Sequence, residues 1–166
     1  MAAEPTVREA NKSYLTPRGR ALQWITKIHK AIYEGTGGIV GHTVFQRAEK
    51  GTGFFLRPMS VLLLTTTGRK SGIARTVPLP YFEYDGRILV VGSFAGGERH
   101  PDWYFNLQAN PEVGVRIGRK SARARAIPLQ GDERERYWTR LTNDWPRYRG
   151  YQGGTSRTIP LVEIVR

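Results

Sequence analysis

The hydrophobic pattern changes period partway along the chain. Between Thr16 and Gly35, the apolar-side positions Leu22, Ile25, His29 and Ile32, joined by Ala21 and Ile28, recur at spacings of three and four. That is the repeat of one helix face. Thr16 offers an N-cap oxygen, Pro17 takes the first helical position where a missing N–H costs nothing, and Gly35 ends the stripe. A helix is therefore predicted, preceded by a polar leader over residues 1–15. It has two uses. It can pack on the domain as a lid, the commoner fate of an amphipathic helix, or lie on an anionic membrane with Trp24 at the interface and Arg18, Arg20, Lys27 and Lys30 among the headgroups.

From residue 60 onward the pattern is one of short β-rich runs. Six strands are predicted, at 60–67, 73–84, 88–93, 112–117, 121–128 and 159–165. Asp85-Gly86 is a hairpin signal, and Gly118-Arg119-Lys120 can turn the fourth run into the fifth, so the pairing should be antiparallel. In the fifth run Ala122, Ala124 and Ala126 alternate with Arg123 and Arg125, which predicts one small buried face. His100-Pro101 opens a short helix that ends near Ala109, and residues 132–143 read as another. Neither supports an alternating parallel fold. The expectation is a single α+β domain, mainly antiparallel, shaped as a barrel or sandwich. Residues 1–50 supply the leader and helix, and residues 51–166 the β domain.

Composition narrows the chemistry. The 166 residues carry 26 Lys plus Arg against 14 Asp plus Glu, a formal charge of +12, which suits a polyanionic partner. Cysteine is absent, which excludes disulfides and thiolate catalysis, and His29, His42 and His100 are spread without ligand spacing, so no metal is expected. No run approaches the length of a membrane span, and the N-terminus has acids but no apolar signal core, so a cytoplasmic location is expected.

Three clusters can carry function. Gly68-Arg69-Lys70-Ser71-Gly72-Ile73-Ala74-Arg75 places glycines, cations and a hydroxyl in one strand connection, a composition that suits phosphate. It lacks Walker spacing, which disfavours nucleoside triphosphates; the bland alternative is a solvated basic hairpin. Gly92-Ser93-Phe94-Ala95-Gly96-Gly97 leads through His100 to Trp103 and Tyr104, a glycine-rich loop against which a flat ring could lie, unless the two aromatics are core. Residues 145–152, Trp145 to Gln152, form a Pro/Gly-rich stretch read as a loop bearing Tyr148 and Tyr151, which either shape a pocket or simply pack. No nucleophile with a partnered base stands out.

Taken together, Gly68-Arg69-Lys70-Ser71-Gly72-x-x-Arg75, Pro101-x-Trp103-Tyr104-x-Asn106-Leu107, Asn110-Pro111 and Pro146-x-Tyr148-x-x-Tyr151-Gln152-x-x-Thr155-x-Arg157-x-Ile159-Pro160 resemble the deazaflavin-dependent nitroreductase family over residues 55–166. The resemblance implies a split β-barrel holding coenzyme F420, a deazaflavin with a phosphate and oligoglutamate tail. On this basis Arg69, Lys70, Ser71, Gly72 and Arg75 would hold the phosphate. Val91, Gly92, Ser93, Gly96 and Gly97 would line the ring, with Pro78, Trp103, Asn106 and Tyr151 completing the pocket. Ser93, Tyr148, Tyr151 and, more weakly, Tyr81 would hydrogen-bond an electron-poor acceptor: a quinone, an activated alkene of a lactone or coumarin-like ring, or a nitroaromatic. An F420-regenerating enzyme would supply reducing power.

Phe94 and Asp102 depart from the residues common in that family beside the ring, so nitro-drug activation does not transfer automatically. An FMN enzyme on the same fold is the nearest alternative. A nucleic-acid module, suggested by Arg136-Tyr137-Trp138 and Arg147-Tyr148-Arg149, lacks any recognised motif, so no nucleic-acid partner is expected. Monomer and homodimer both remain open.

Overall fold

The computed structural model describes residues 43–48 and 55–166, together with Ala31. The predicted helix at 16–35 and its membrane-facing alternative therefore lie outside the described residues, apart from that one helical position.

The strands are β1 (Thr43–Ala48), β2 (Phe55–Thr67), β3 (Ala74–Tyr84), β4 (Arg87–Val91), β5 (Glu112–Ile117), β6 (Lys120–Pro128) and β7 (Leu161–Val165). Between them lie helices α1 (Asp102–Ala109), α2 (Gly131–Asp144) and α3 (Arg147–Gly153), with a single 3-10 turn at Phe94–Gly96. All pairings are antiparallel, in the order β1-β2-β3-β4-β7-β6-β5, and β5 returns to pair with β2 through Leu63 and Arg116. Six strands thus close a barrel, leaving β1 outside it on the first half of β2, where Thr43 faces Ser60 and Ala48 faces Phe55.

Val61, Leu62, Leu63 and Leu64 are all at most 3% exposed, so β2 is covered on both faces. This is why it reads as an unbroken apolar run instead of an alternating one. Leu62 and Leu64 point into the barrel with Ile88, Val90, Val113, Val115, Val162 and Ile164, and α1 closes that core with Trp103, Tyr104 and Leu107. Outside the barrel, Phe82, Tyr84, Leu89 and Leu161 form a second core with Tyr137 and Leu141 of α2 and Tyr148 of α3.

The barrel is split along one seam. β3 pairs with β2 from Ala74 to Pro80, but with β4 only from Tyr81 to Tyr84. The first half of β3 therefore has one unpaired edge among the described residues. Pro78 and Pro80 fall there, where a missing N–H is tolerated.

Four expectations need correction. β1 lies within the stretch expected to hold only leader and helix, and β2 begins five residues early. Residues 147–153 form a helix, not a loop: Pro146 starts it, and Tyr148 and Tyr151, one turn apart, turn towards the outer core. Ala124 and Ala126 are buried as the alternation requires, whereas Ala122 is exposed because β6 begins beyond the core near its hairpin.

Candidate active site

Strand directions collect the sequence clusters at one end of the barrel. β2 delivers the 68–73 turn, β4 delivers the 92–101 loop, and residues 154–160 descend into β7 at the same end. The Asp85-Gly86 and Gly118-Arg119 hairpins lie at the other.

The basic turn is a tight backbone structure. Gly68 donates its N–H to the Ile73 carbonyl, Ser71 and Gly72 donate theirs to the Gly68 carbonyl, and the Ser71 hydroxyl accepts from the Ile73 N–H. Asn106 fastens this turn to α1. Its Oδ1 accepts from the Arg69 N–H at 3.1 Å and from Arg69 Nη1 at 3.4 Å, while its Nδ2 donates to Thr66 Oγ1. Asn106 is 5% exposed, so its position supports the turn. Lys70 and Arg75 extend into solvent. Arg69 lies over the Phe105 ring at 4.9 Å and Arg99 at 5.4 Å, with Asp102 Oδ1 between them at 3.6 and 2.7 Å. The unusual Asp102 thus lowers the positive charge beside the turn.

The 92–97 loop is shaped by constraint. A Cβ on Gly92 would lie 2.6 Å from Pro160 Cγ, and the Gly92 N–H donates to the Pro160 carbonyl. Phe94 and Ala95 follow with φ of 47° and 52°, and Gly96 with 80°. Left-handed backbone costs an L-residue roughly 1–2 kcal/mol, so two such residues in sequence need bracing from outside. Arg157 supplies it, donating from Nη2 to the Ser93 carbonyl at 2.7 Å and from Nε to the Gly97 carbonyl at 2.8 Å. Its Nη1 meets His100 Nδ1 at 3.0 Å, and since a guanidinium only donates, that nitrogen accepts and His100 carries its proton on Nε2. Burial, and secondarily the Arg157 charge, hold the His100 pKa below the usual imidazole range. Burial also lowers the Arg157 pKa, partly offset by Glu98.

Neighbouring residues brace this frame. Gln152 donates to the Arg157 carbonyl and accepts from the Ile159 N–H, both at 2.8 Å; Arg134 Nη2 donates to the Ile159 carbonyl; Glu98 Oε2 accepts from the Thr155 and Ser156 hydroxyls.

Of the expected acceptor-side residues, Ser93 and Tyr151 lie on neighbouring segments, the 3-10 turn after Ser93 packing against α3. Gly96 lies against the Tyr151 backbone, where an added Cβ would be 3.2 Å from the carbonyl oxygen, and the Ser93 hydroxyl caps nothing in the 3-10 turn that follows. Tyr148 is 4% exposed, edge-on to Phe82 and Tyr151, and burial pushes its pKa far up. It belongs to the outer core and does not present its ring at the surface. Tyr81 turns with Val77 and Leu79 toward the barrel interior, away from α3. Trp103 is 6% exposed and core-packed, leaving little of its ring for a ligand, and the Val91 side chain is likewise buried, so Val91 and Gly92 can offer backbone only. Pro78 flanks the open seam. Gly96 and Gly97 have packing reasons of their own, the latter against the Phe94 ring.

Arg157, Thr155 and Gln152 stand in the family-like motif with no role legible from sequence, and nothing in the sequence marks Glu98 as part of this frame. The tyrosines in the two Arg-aromatic stretches proposed for nucleic acid are core residues, which removes their stacking faces. Among the described residues there is no cluster able to hold a metal ion, and no helix long and apolar enough to cross a membrane.

The chain is similar to several known proteins. The model of the F420H2-dependent quinone reductase family matches residues 26–165, beginning well upstream of the motifs read from sequence. An F420H2-dependent quinone reductase of Mycobacterium tuberculosis is 39% identical over 145 residues, covering 86% of this chain and 90% of that protein. Among solved structures, an F420-H2 dependent reductase, FDR-A, is 43% identical with a TM-score of 0.56, over 63% of this chain and 92% of its own. Another, described as a domain-swapped dimer, is 38% identical with a TM-score of 0.58, over 81% of this chain and 97% of its own.

Proposed function

Because the chain belongs to the F420H2-dependent quinone reductase family, we propose that it reduces quinones with coenzyme F420, using the split end of the barrel as its active site. The observation that carries this assignment of the site is the convergence of the basic turn, the Ser93 loop and Tyr151 at that end.

The residues present fit the cofactor. Arg69, Lys70 and Arg75 supply the charge a phosphate and oligoglutamate tail requires, and the turn that bears Arg69 is anchored at its backbone by a buried amide. Gly92 and Ser93 offer backbone edges beside the open seam near Pro78, where a planar ring can lie. When bound, reduced F420 supplies the hydride. Ser93 and Tyr151 are the acceptor-side donors, hydrogen-bonding the quinone oxygen as negative charge develops there. Tyr148 stands behind Tyr151 and fixes its ring, and Asn106 acts on the cofactor through Arg69. Catalysis here is orientation, exclusion of water and hydrogen bonding, without a protein nucleophile.

Titration of the purified protein with oxidised F420 and, in parallel, FMN tests the reading. Tight F420 binding that weakens at least tenfold in Arg69→Ala and Lys70→Ala, with turnover of a soluble quinone by reduced F420, is expected. Preference for FMN would overturn the cofactor assignment, and unchanged binding in both variants would overturn the phosphate role of the turn.

The related domain-swapped structure supports a homodimer for this chain as well. Light scattering on a sizing column should give twice the monomer mass. The basic apolar-striped segment at 16–35 would then bring the enzyme to membrane quinones. Co-sedimentation with anionic but not neutral vesicles, lost on deleting that segment, is the expected result.

A further inference from the structure

Resting on the reading that Ser93 and Tyr151 meet the acceptor, we propose that Arg157 is the positioning residue that sets the Ser93 loop in its reactive shape and couples it to the helix carrying Tyr151. One planar group spans both ends of the loop. Its Nη2 holds the Ser93 carbonyl and its Nε the Gly97 carbonyl, bracketing the left-handed run of Phe94, Ala95 and Gly96. The loop's own bonds, from the Gly96 N–H to the Ser93 carbonyl and from the Gly97 N–H to the Phe94 carbonyl, are two local turns. Neither ties the loop to another part of the chain. Arg157 does, from some sixty positions downstream, and its own backbone carbonyl is held by Gln152 of α3, one residue after Tyr151.

A lysine cannot replace it, because a single ammonium lacks the rigid fork that reaches two carbonyls at once. The third arm reports on the clamp. Nη1 needs an unprotonated His100 Nδ1, and the same imidazole lies against the Tyr104 ring at 4.9 Å and the Phe105 edge. The charged groups around this corner are Arg157 itself, Glu98 on its other flank, and the Arg99–Asp102 pair. Protonating His100 would turn its accepting nitrogen into a donor and set it against Arg157. The depressed His100 pKa agrees with that arrangement.

Arg157→Ala and Arg157→Lys are the test variants, studied as full-length protein with F420 and a soluble quinone. Arg157→Lys, which keeps the charge and fills most of the volume, guards against simple misfolding. Both are expected to lose at least tenfold in kcat/KM for the quinone. Methylguanidinium should restore part of the loss in Arg157→Ala and none in Arg157→Lys. In Arg157→Ala the His100 imidazole, assigned by its absence in His100→Gln, should titrate at higher pH by NMR. Retention of wild-type kcat/KM in folded Arg157→Ala, or a loss confined to thermal stability, would overturn the proposal. Wild-type protein that binds no F420 would instead sink the cofactor reading. The clamp would then be judged by the His100 titration and by amide exchange of residues 94–97, which must speed up in Arg157→Ala for it to stand.

Discussion

Tyr148 and Tyr151 lie one helical turn apart and meet different surroundings. Tyr148 is sealed beneath Phe82, while Tyr151 is half-buried beside the Gly96 backbone. Tyr151→Phe is therefore expected to lower quinone turnover about tenfold, the scale of one lost hydrogen bond to a charged oxygen. Tyr148→Phe should leave it within about twofold, a change well under one hydrogen bond. The Tyr148 pKa is raised by burial. The unfolded phenol then ionises first, so the stability this group contributes is complete below about pH 10 and is lost as pH rises beyond it. Urea midpoints from pH 8 to 11 should show a shallower alkaline fall in Tyr148→Phe than in wild type. Asn106 offers a second residue-scale test. Its alanine variant strands the Arg69 N–H and the Thr66 hydroxyl, which should cost about 1–3 kcal/mol in denaturant titrations and weaken F420 binding without touching the cofactor.

At the scale of elements, legibility in the sequence followed whether an element's signal is local. The hairpins at Asp85-Gly86 and Gly118-Arg119, the Ala124/Ala126 alternation and the Pro101 helix start all depend on neighbours in sequence, and each could be read. β1 could not, because its partner is the first half of β2, outside the ring of six strands. α3 was hidden by Gly150 and Gly153, which read as loop although the helix is held by burying Tyr148 on the outer sheet. The candidate site shows the same division. The cations of the turn were evident from composition, whereas Arg157 acts across more than sixty residues in reaching Ser93 and carries no sign of it in its own neighbourhood. Gly92 was read as a ring contact, but its immediate constraint is the Pro160 ring. Gly92→Ala should accordingly cost about 1–3 kcal/mol through overpacking, seen as a lower urea midpoint. An unchanged midpoint would return the glycine to a purely ligand-facing role.

For the whole molecule, the proposed capture of the cofactor tail at the 68–75 turn, in a chain of charge +12, would be electrostatic in part. Affinity for F420 should fall several-fold as salt rises from about 0.05 to 0.5 M, a range over which the screening length shrinks from more than ~10 Å to a few. Lys70→Ala should flatten that dependence as well as lower affinity, measured by fluorescence titration. The closed ring of six strands has a further consequence. Among the described residues, those proposed to bind cofactor and quinone gather at one end, and the tip of the Gly118-Arg119 hairpin sits at the other, exposed at Arg119 and Lys120. Evolution can therefore revise the first end without reopening the second, and an experimenter can do the reverse. A short fluorescent-tag peptide spliced between Gly118 and Arg119 should be carried as a passenger, with F420 affinity and quinone turnover unaltered, making the far hairpin an attachment point for immobilising or imaging a working enzyme.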